Sequence, residues 1–414
     1  MTPQAASAVG FAAIAAFAWG LGRMRGPAPV PWRLLLVGLA AQVALAALML
    51  WLPPLRAALG AVGAGVDSLA RATEQGTALV FGYLGGAPLP FAETGPGSSF
   101  ILAFRALPLI LVVGALSALL YHLGVLALAV RAMAAVLSRG LGLGGAAGFA
   151  TAANVFVGMV EAPLLVRPWL QSLSRADLFV VMVSGLATIS GNTLAVYAVF
   201  LREVLPDAAG QLVAASLVSA PAAVLVARLM LPPAPGEAER EALPPPRLYA
   251  GAMEAVARGT ADGLAILLGV IATLIVFVAL VALCNALLVP VAGVTLETAA
   301  AWLMRPVALA IGVPAAEAAE ASRLLGLKLV INEFVAYLDF ARTGASLSER
   351  TRIILVWALC GFANPGSMGI IIGGMGALVP DRRAEIAALG PAATLGGTLA
   401  TCMTGAAVGA LLPG

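Results

Sequence analysis

Two acidic residues stand in apolar stretches of this 414-residue chain, and their surroundings resemble each other. Glu161 lies in "NVFVGMVEAPLLV" and Glu333 lies in "KLVINEFVAYLDF", with Asn154 and Asn332 as polar neighbours in the sequence. An acid inside a membrane-embedded segment is costly, and it marks a functional site by default. Such acids could hold a polar solute, or one of them could carry a proton.

The sequence after each acid follows one pattern. Glu161 is followed by "LSRADLFVVMVSGLATISGNTLA" and Glu333 by "LSERTRIILVWALCGFANPGSMG". Glu161 precedes Gly191 by 30 residues, and Glu333 precedes Asn364 by 31. This spacing predicts an internal duplication of a hairpin, a broken helix and a closing helix.

Small residues and a proline interrupt both apolar helices of the duplication. We expect the breaks at Gly185, Gly191, Gly361, Pro365 and Gly366. Unpaired backbone groups are tolerated in a membrane only where they face protein or a water-filled cavity. Freed carbonyls can then coordinate ions, and paired broken helices in two halves indicate a transporter's midplane site. A structural alternative is that the acids pair with Arg167 and Lys328.

Composition places these segments in a membrane. The chain is 61% hydrophobic and 10% charged, with a mean hydropathy of +1.02, whereas soluble domains are about 25% charged. The net charge is +3 and no basic stripe occurs, so we expect no nucleic-acid partner. Cys284, Cys360 and Cys402 form no CxxC pair and are expected to be small core residues, and a metal site around the one histidine, His122, is disfavoured.

Eight apolar runs are long enough to span a bilayer as helices. They lie near residues 5–22, 33–53, 100–121, 176–201, 210–232, 264–288, 351–378 and 391–412. Residues 140–175 and 310–350 are predicted as re-entrant hairpins, and residues 55–84 as an amphipathic helix on the membrane surface or a soluble loop helix. The predicted fold is an all-α polytopic membrane protein with two discontinuous helices in an inverted repeat.

The chain divides into four parts: N-terminal helices (1–97), the first repeat (98–232), a Pro-rich linker (233–249) and the second repeat (250–414). The arginines after the first helix, in the linker and before the last helix favour a cytoplasmic location for these loops. Both termini are then expected outside the cytoplasm.

At these residues the sequence resembles the concentrative nucleoside transporter family. The similar motifs are "GMVEAPLL" at 158–165, "NEFVAY" at 332–337 and "GFANPGSMGI" at 361–370. The resemblance runs from about residue 98 to the C-terminus, and it implies a homotrimer whose protomers each hold a site between two hairpins and two broken helices.

The resemblance also implies the roles of individual residues. It places ribose hydroxyls on Glu161 and Glu333, other sugar contacts on Asn364 and Ser367, and an aromatic contact near the base on Phe362. Substrate contacts are further expected at Gly158, Met159, Val160 and Thr193, and a Na⁺ site at Asn154, Val157, Thr188 and Ile189.

The first hairpin departs from the family pattern. Met159 and Val160 replace a glutamine and a threonine that hydrogen-bond the nucleobase in the family, and neither replacement can do so well. Asn192 and Thr193 are polar where the family usually has smaller or apolar residues. The sugar site is therefore expected to be intact, and base recognition to be altered.

The sequence thus predicts a cation-coupled nucleoside symporter of the bacterial inner membrane that works by alternating access without a cofactor. Na⁺ is the preferred coupling ion and H⁺ the second choice. The alternative substrate is a related ribosyl compound or a modified nucleoside. A membrane-embedded enzyme is disfavoured because no nucleophile–base motif appears, and a channel because paired hairpins favour alternating access.

Overall fold

The computed structural model describes residues 2–24, 30–93, 99–143, 145–159, 161–234 and 248–413. Helices and short turns make up these residues, and no strand occurs among them. Seven helical stretches in the described part are long and apolar enough to cross a membrane: Pro3–Arg23, Trp32–Trp51, Leu102–His122, Arg175–Leu201, Ala208–Met230, Ala252–Ala292 and Pro380–Leu411. The predicted all-α membrane fold is confirmed.

Six helices precede the first hairpin. They are α1 (Pro3–Arg23), α2 (Trp32–Trp51), α3 (Pro53–Phe81), α4 (Leu102–Arg105), α5 (Leu109–His122) and α6 (Val125–Leu141). Helix α3 is the long amphipathic helix expected over 55–84, and its place at a membrane surface stays a prediction. Helix α6 was not predicted, because its charged and small residues interrupt the apolar run that a spanning helix requires.

The first repeat begins with a hairpin made of α7 (Gly145–Asn154) and α8 (Glu161–Leu165), followed by the single-turn α9 (Arg167–Leu170). Its broken helix consists of α10 (Arg175–Ala187) and α11 (Gly191–Leu201), and α12 (Ala208–Met230) closes the repeat. The linker stretch 235–247 and the hairpin residue Val160 lie outside the described residues.

The second repeat follows the same order after one long helix. Helix α13 (Ala252–Ala292) leads into α14 (Leu296–Ala310), which was not predicted, and then into the hairpin of α15 (Ala318–Val330) and α16 (Glu333–Thr343). The broken helix is α17 (Glu349–Leu359) plus α18 (Pro365–Leu378), and α19 (Arg383–Leu411) closes the repeat. The predicted span 351–378, which is not among the seven helical stretches above, is therefore the pair α17 and α18.

Matching serine caps start both broken helices. Ser174 accepts a hydrogen bond from the Asp177 N–H at 3.0 Å, and Ser348 accepts one from the Thr351 N–H at 3.4 Å. A serine in this position satisfies one of the unpaired N–H groups of the first helical turn. The Leu-Ser pair after each acid in the sequence is thus a helix start.

The breaks lie at residues 188–190 and 360–364. Gly191 and Pro365 begin α11 and α18, as a break predicts, but Gly185 and Gly366 lie within regular helices. The prediction for these two glycines was wrong. Gly185 has a packing role, because a Cβ there would approach Cβ of Met159 to 2.9 Å.

The buried centre of the chain is made of the two repeats. In the 18-residue apolar core of Arg175–Leu201, 94% of the residues are buried, and in that of Ala208–Met230, 83% are buried. In the corresponding stretch of α13, only 11% are buried. Cys360 and Cys402 are buried as expected, but Cys284 is exposed on α13, so its assignment to the core was wrong. Most of the apolar surface of α13 is therefore exposed in the single chain.

Candidate functional site

Glu333 is held by both broken helices. Its Oε1 accepts a hydrogen bond from the Tyr197 hydroxyl on α11 at 2.8 Å, and its Oε2 accepts one from Asn364 Nδ2 at 2.6 Å. The residue is only 5% exposed. Asn332, the polar neighbour of Glu333 in the sequence, does not hydrogen-bond the acid side chain but caps α16 by accepting a hydrogen bond from the Val335 N–H at 2.9 Å. The hairpin and both breaks therefore fix this carboxylate in one orientation.

Asn364 joins the second break to the second hairpin. Its Oδ1 accepts the Ser367 N–H at 2.9 Å and so caps α18, while its Nδ2 donates to Glu333. This cap sets the orientation of the Asn364 amide. Because the N–H in the first turn of α18 requires an oxygen acceptor, Oδ1 faces the helix and Nδ2 faces Glu333. The start of α18 thus orients the side chain that binds the carboxylate.

Glu161 begins α8 at the end of the first hairpin tip. Gly158 in this tip has a φ of +126°, which favours glycine, and a Cβ there would lie 2.6 Å from Glu161 Oε2. The Gly191 N–H donates to the Phe156 carbonyl at 3.1 Å. The hairpin tip is thereby tied to the first break, and Glu161 packs directly over Gly158.

A cavity of about 500 Å³ lies between the two hairpins and α13. Small-molecule sites commonly measure about 300–1,000 Å³. Its lining includes all eight of the predicted substrate residues that the structure describes: Gly158, Met159, Glu161, Thr193, Glu333, Phe362, Asn364 and Ser367. The two acids, 172 positions apart in the sequence, thus face one shared cavity.

Several lining residues were missed by the sequence analysis. Ser190, at the start of α11, and Tyr197 line the cavity beside the predicted Thr193, and the Ser190 and Thr193 hydroxyls are 2.9 Å apart. Their spacing of three and four residues is the signal that could have identified this polar face. Asp262 and Thr273 line the opposite wall on α13, and nothing in the repeat pattern points to that helix.

The four predicted ion-binding residues cluster where the first hairpin meets the first break. The Thr188 hydroxyl donates to the Ser184 carbonyl at 2.8 Å and lies 3.3 Å from the Asn154 carbonyl. Val157 follows in the hairpin tip, and Ile189 is the next residue of the break. Carbonyl and hydroxyl oxygens are the ligands that hard cations prefer.

The Asn154 side chain braces this cluster. In the orientation that satisfies both ends of its amide, Nδ2 donates to the Gly158 carbonyl at 3.0 Å, and Oδ1 accepts from the Gly185 N–H and the Ser184 hydroxyl. Thr188 gives its proton to a carbonyl, so the lone pairs of its hydroxyl can face a cation. The residues present therefore fit an oxygen-coordinated monovalent ion.

The hydrogen bonds of Lys328 go to uncharged groups. Its ammonium donates to the Ala358 carbonyl and the Thr401 hydroxyl, each at 3.0 Å. Glu333 has Tyr197 and Asn364 as hydrogen-bond partners, and its charge also interacts electrostatically with that of Lys328, so the pairing of Lys328 with this acid stays a prediction. Arg167 is exposed on α9.

Paired hairpins, paired broken helices and a polar cavity between them define a secondary transporter. Profiles of known families match most of the chain. Residues 9–84 and 211–409 match the N-terminus and C-terminus of the Na⁺ dependent nucleoside transporters, and residues 103–203 match a nucleoside recognition region named Gate.

Whole-chain comparisons agree with these matches. The chain is 37% identical over 392 residues to a protein of Haemophilus influenzae described as an uncharacterized transporter, covering 90% of this chain and 89% of that protein. It is 34% identical over 414 residues to the nucleoside permease NupC of Helicobacter pylori, covering 97% and 96%. The chain belongs to the concentrative nucleoside transporter family.

Solved structures of the transporter CNTnw are similar over nearly the full length. Its inward-facing, substrate-bound state matches with a TM-score of 0.87 and 35% identity, covering 98% of both chains. A variant in an outward-facing state matches with a TM-score of 0.85 and 34% identity, covering 99% of this chain and 98% of that one. The fold is thus one that is known in both states of alternating access.

Proposed function

We propose that this protein is a secondary symporter that imports nucleosides and couples their uptake to a cation gradient. The observation that carries the proposal is Glu333, which Tyr197 and Asn364 orient at the wall of a cavity that Glu161 also faces. Membership of the family supports the nucleoside as substrate. Both states of alternating access are known for a similar transporter.

The two carboxylates bind the ribose hydroxyls in this proposal. A carboxylate has about four lone-pair sites, and Tyr197 and Asn364 occupy two of those on Glu333. The remaining sites can accept substrate hydroxyls, and such charge-assisted bonds are about twice as strong as neutral ones. Glu161 accepts hydroxyls from the other hairpin, with Asn364 and Ser367 completing the sugar side.

The base end of the cavity is less polar. Met159 lines it where the family has a glutamine, while the Thr193 hydroxyl and the Phe362 ring are also present. The thioether of Met159 is a weak acceptor and no donor. We therefore keep a second candidate substrate class, ribosyl compounds or modified nucleosides whose base requires fewer hydrogen bonds.

The coupling cation binds at Asn154, Val157, Thr188 and Ile189, between the first hairpin tip and the first break. That tip also carries Gly158 and, at its end, Glu161. A cation there holds the tip against the break and thereby orders Glu161 for substrate. Na⁺ is preferred because the ligands are oxygens, and the family description supports it. Proton coupling through Glu161 or Glu333 is the alternative.

We place the protein in the bacterial inner membrane as a homotrimer with both termini periplasmic. The exposed α13 supports a scaffold role for that helix, against which the hairpins and broken helices move. Size-exclusion chromatography with light scattering would test the trimer in detergent.

Uptake by reconstituted protein tests the proposal. Radiolabelled uridine, adenosine and free ribose are offered to proteoliposomes under separate inward Na⁺ and H⁺ gradients. We expect saturable nucleoside uptake that requires one of the gradients and stops when an ionophore dissipates it. No uptake of either nucleoside under both gradients contradicts the proposal, and turnover without a gradient would indicate an enzyme.

A further inference from the structure

Asp262 is an acid near the start of the long apolar helix α13. It is the last charged residue of that helix, since residues 263–292 contain none. Its side chain is exposed and lines the cavity from the α13 wall, opposite the hairpins. An acid within a membrane-spanning segment marks a functional site by default, and the proposed function gives this one no role.

The Asp262 carboxylate is not taken up by a neighbouring side chain. Arg258, one turn earlier on α13, forms its ion pair with Glu254 at 3.0 Å and acts on Asp262 only through its charge. Within the part of the chain that the structure describes, no hydrogen bond or ion pair reaches Asp262. An ionised carboxylate accepts hydrogen bonds and donates none, so Asp262 offers the cavity an acceptor.

Thr273 is the second polar residue of the α13 wall. It follows Asp262 by eleven residues on the same helix face, which is about 16 Å along the axis at 1.5 Å per residue. The α13 residues that line the cavity between them are small or apolar. The Thr273 hydroxyl donates to the Gly269 carbonyl of its own helix at 2.5 Å, so its lone pairs remain for a ligand. Both polar groups of this wall are thus acceptors.

The first hairpin and the first break add few donors. The thioether of Met159 is a weak acceptor and no donor. The Ser190 and Thr193 hydroxyls are 2.9 Å apart, so one donates to the other and a single hydroxyl proton remains. This part of the cavity, together with the α13 wall, is therefore rich in acceptors and poor in donors.

We propose that Asp262 is a specificity-determining residue that selects nucleobases with an exocyclic amino group over those with an oxo group at the same position. This deepens the proposed function and rests on it. When Glu333 and Asn364 hold the ribose on one wall, the base points towards α13 on the other. The amino groups of cytosine and adenine are donors, whereas the corresponding oxygens of uracil and hypoxanthine are acceptors.

The carboxylate discriminates between these bases by charge and by hydrogen bonding. It accepts an amino N–H in a charge-assisted bond, which is about twice as strong as a neutral one. An oxo group at the same place brings its lone pairs against the carboxylate and makes no bond. Asp262 thus supplies, from α13, a base contact in place of the one that Met159 removes from the first hairpin.

The experiment measures KM for four radiolabelled nucleosides in proteoliposomes. Cytidine is paired with uridine and adenosine with inosine, because the members of each pair differ in the amino or oxo group. In the wild type, KM for each amino nucleoside should be at least about tenfold below that of its oxo counterpart, the scale of one hydrogen bond to a charged group.

The variant Asp262→Asn tests the residue itself. Its amide both donates and accepts, so both KM ratios should fall to within about threefold. The change should come from weaker binding of cytidine and adenosine, while KM for uridine does not rise. Asp67→Asn is the control, because Asp67 is an exposed acid on α3 outside the cavity lining and should keep the wild-type ratios.

Equal KM values for cytidine and uridine in the wild type overturn the proposal, and so does a wild-type ratio that persists in Asp262→Asn. An equal rise in KM for both pyrimidine nucleosides in the variant also overturns it, because a general binding or folding role predicts that result. If Asp262→Asn does not fold, the wild type decides alone: tenfold ratios in both pairs support the proposal, and a smaller ratio in either pair overturns it. No uptake of any of the four nucleosides by the wild type contradicts the proposed function instead.

Discussion

Tyr197 donates a hydrogen bond of 2.8 Å to Glu333 across 136 positions of the sequence. The tyrosine lies on the second half of the first broken helix, and the acid begins the second arm of the second hairpin. Both residues line the same cavity. One bond therefore connects the two repeats at the point where the substrate is proposed to bind.

Removing this bond should weaken substrate binding. Tyr197→Phe leaves Glu333 with Asn364 as its remaining named donor and lets the carboxylate rotate. A hydrogen bond to a charged group contributes about 1.5–3 kcal/mol, so we expect a rise in KM of at least about tenfold. Tyr337→Phe is the matched control, because that hydroxyl donates to the Val356 carbonyl and does not line the cavity. Equal KM values for wild type and Tyr197→Phe in concentration-dependent uptake would refute the role.

A side chain at Gly158 should close the first hairpin site. Gly158→Ala combines a φ of +126° with a Cβ 2.6 Å from Glu161 Oε2. The acid or the tip must move, so uptake should fall to background while the protein stays folded. Gly373→Ala on α18, where a Cβ meets nothing within 4 Å, should transport normally. The two initial rates are compared at equal reconstituted protein, and similar rates for the two variants would argue against this geometry.

The Thr188 hydroxyl should determine cation affinity. Thr188→Val keeps the shape of the side chain but removes the oxygen that contacts Ser184 and Asn154. The loss of one oxygen contact to a charged ligand costs about 1.5–3 kcal/mol. We therefore expect the Na⁺ concentration that gives half-maximal uptake to rise about tenfold or more. Thr188→Ser retains the oxygen and should remain within about twofold. An unchanged Na⁺ dependence in Thr188→Val would place the cation elsewhere.

Restoring a polar group at position 159 should change base recognition. Met159→Gln gives the cavity an amide that can donate to and accept from a base edge. One neutral hydrogen bond contributes about 1 kcal/mol, so the preference for uridine over free ribose should rise about fivefold. Met159→Leu conserves volume and polarity and should leave the preference unchanged. Competition assays with both substrates measure the effect, and no difference between the two variants would remove Met159 from base selection.

Much of the fold could be predicted from the sequence because its signals are local. Apolar runs of about 20 residues define the spans, and the Leu-Ser caps before α10 and α17 define the repeat. Helices α6 and α14 were missed because neither contains an uninterrupted apolar run of spanning length. Gly185 was misread because a glycine that permits close packing and a glycine that breaks a helix look alike in sequence.

The part of the site that could be predicted also rests on local sequence signals. Glu161 and Glu333 were recognisable because an acid in an apolar run is unusual by itself. The donors that orient Glu333 were not, because Tyr197 approaches it only in the folded protein. Lys328 was considered as a counter-charge of an acid, but its hydrogen-bond partners Ala358 and Thr401 were not predicted, because they come from α17 and α19 and approach it only in the folded protein.

The proposed function depends most on Glu333 as a residue that binds substrate in a gradient-driven transporter. Its most direct test is uridine uptake by Glu333→Gln in proteoliposomes under the gradient that drives the wild type. The variant keeps the size of the side chain, but it replaces an acceptor with an amide that must face the donors Tyr197 and Asn364. Glu320→Gln is the control, because Glu320 pairs with Arg323 outside the cavity lining. We predict loss of saturable uptake in Glu333→Gln at an unchanged elution volume and normal uptake in Glu320→Gln. Normal transport by Glu333→Gln would contradict the account.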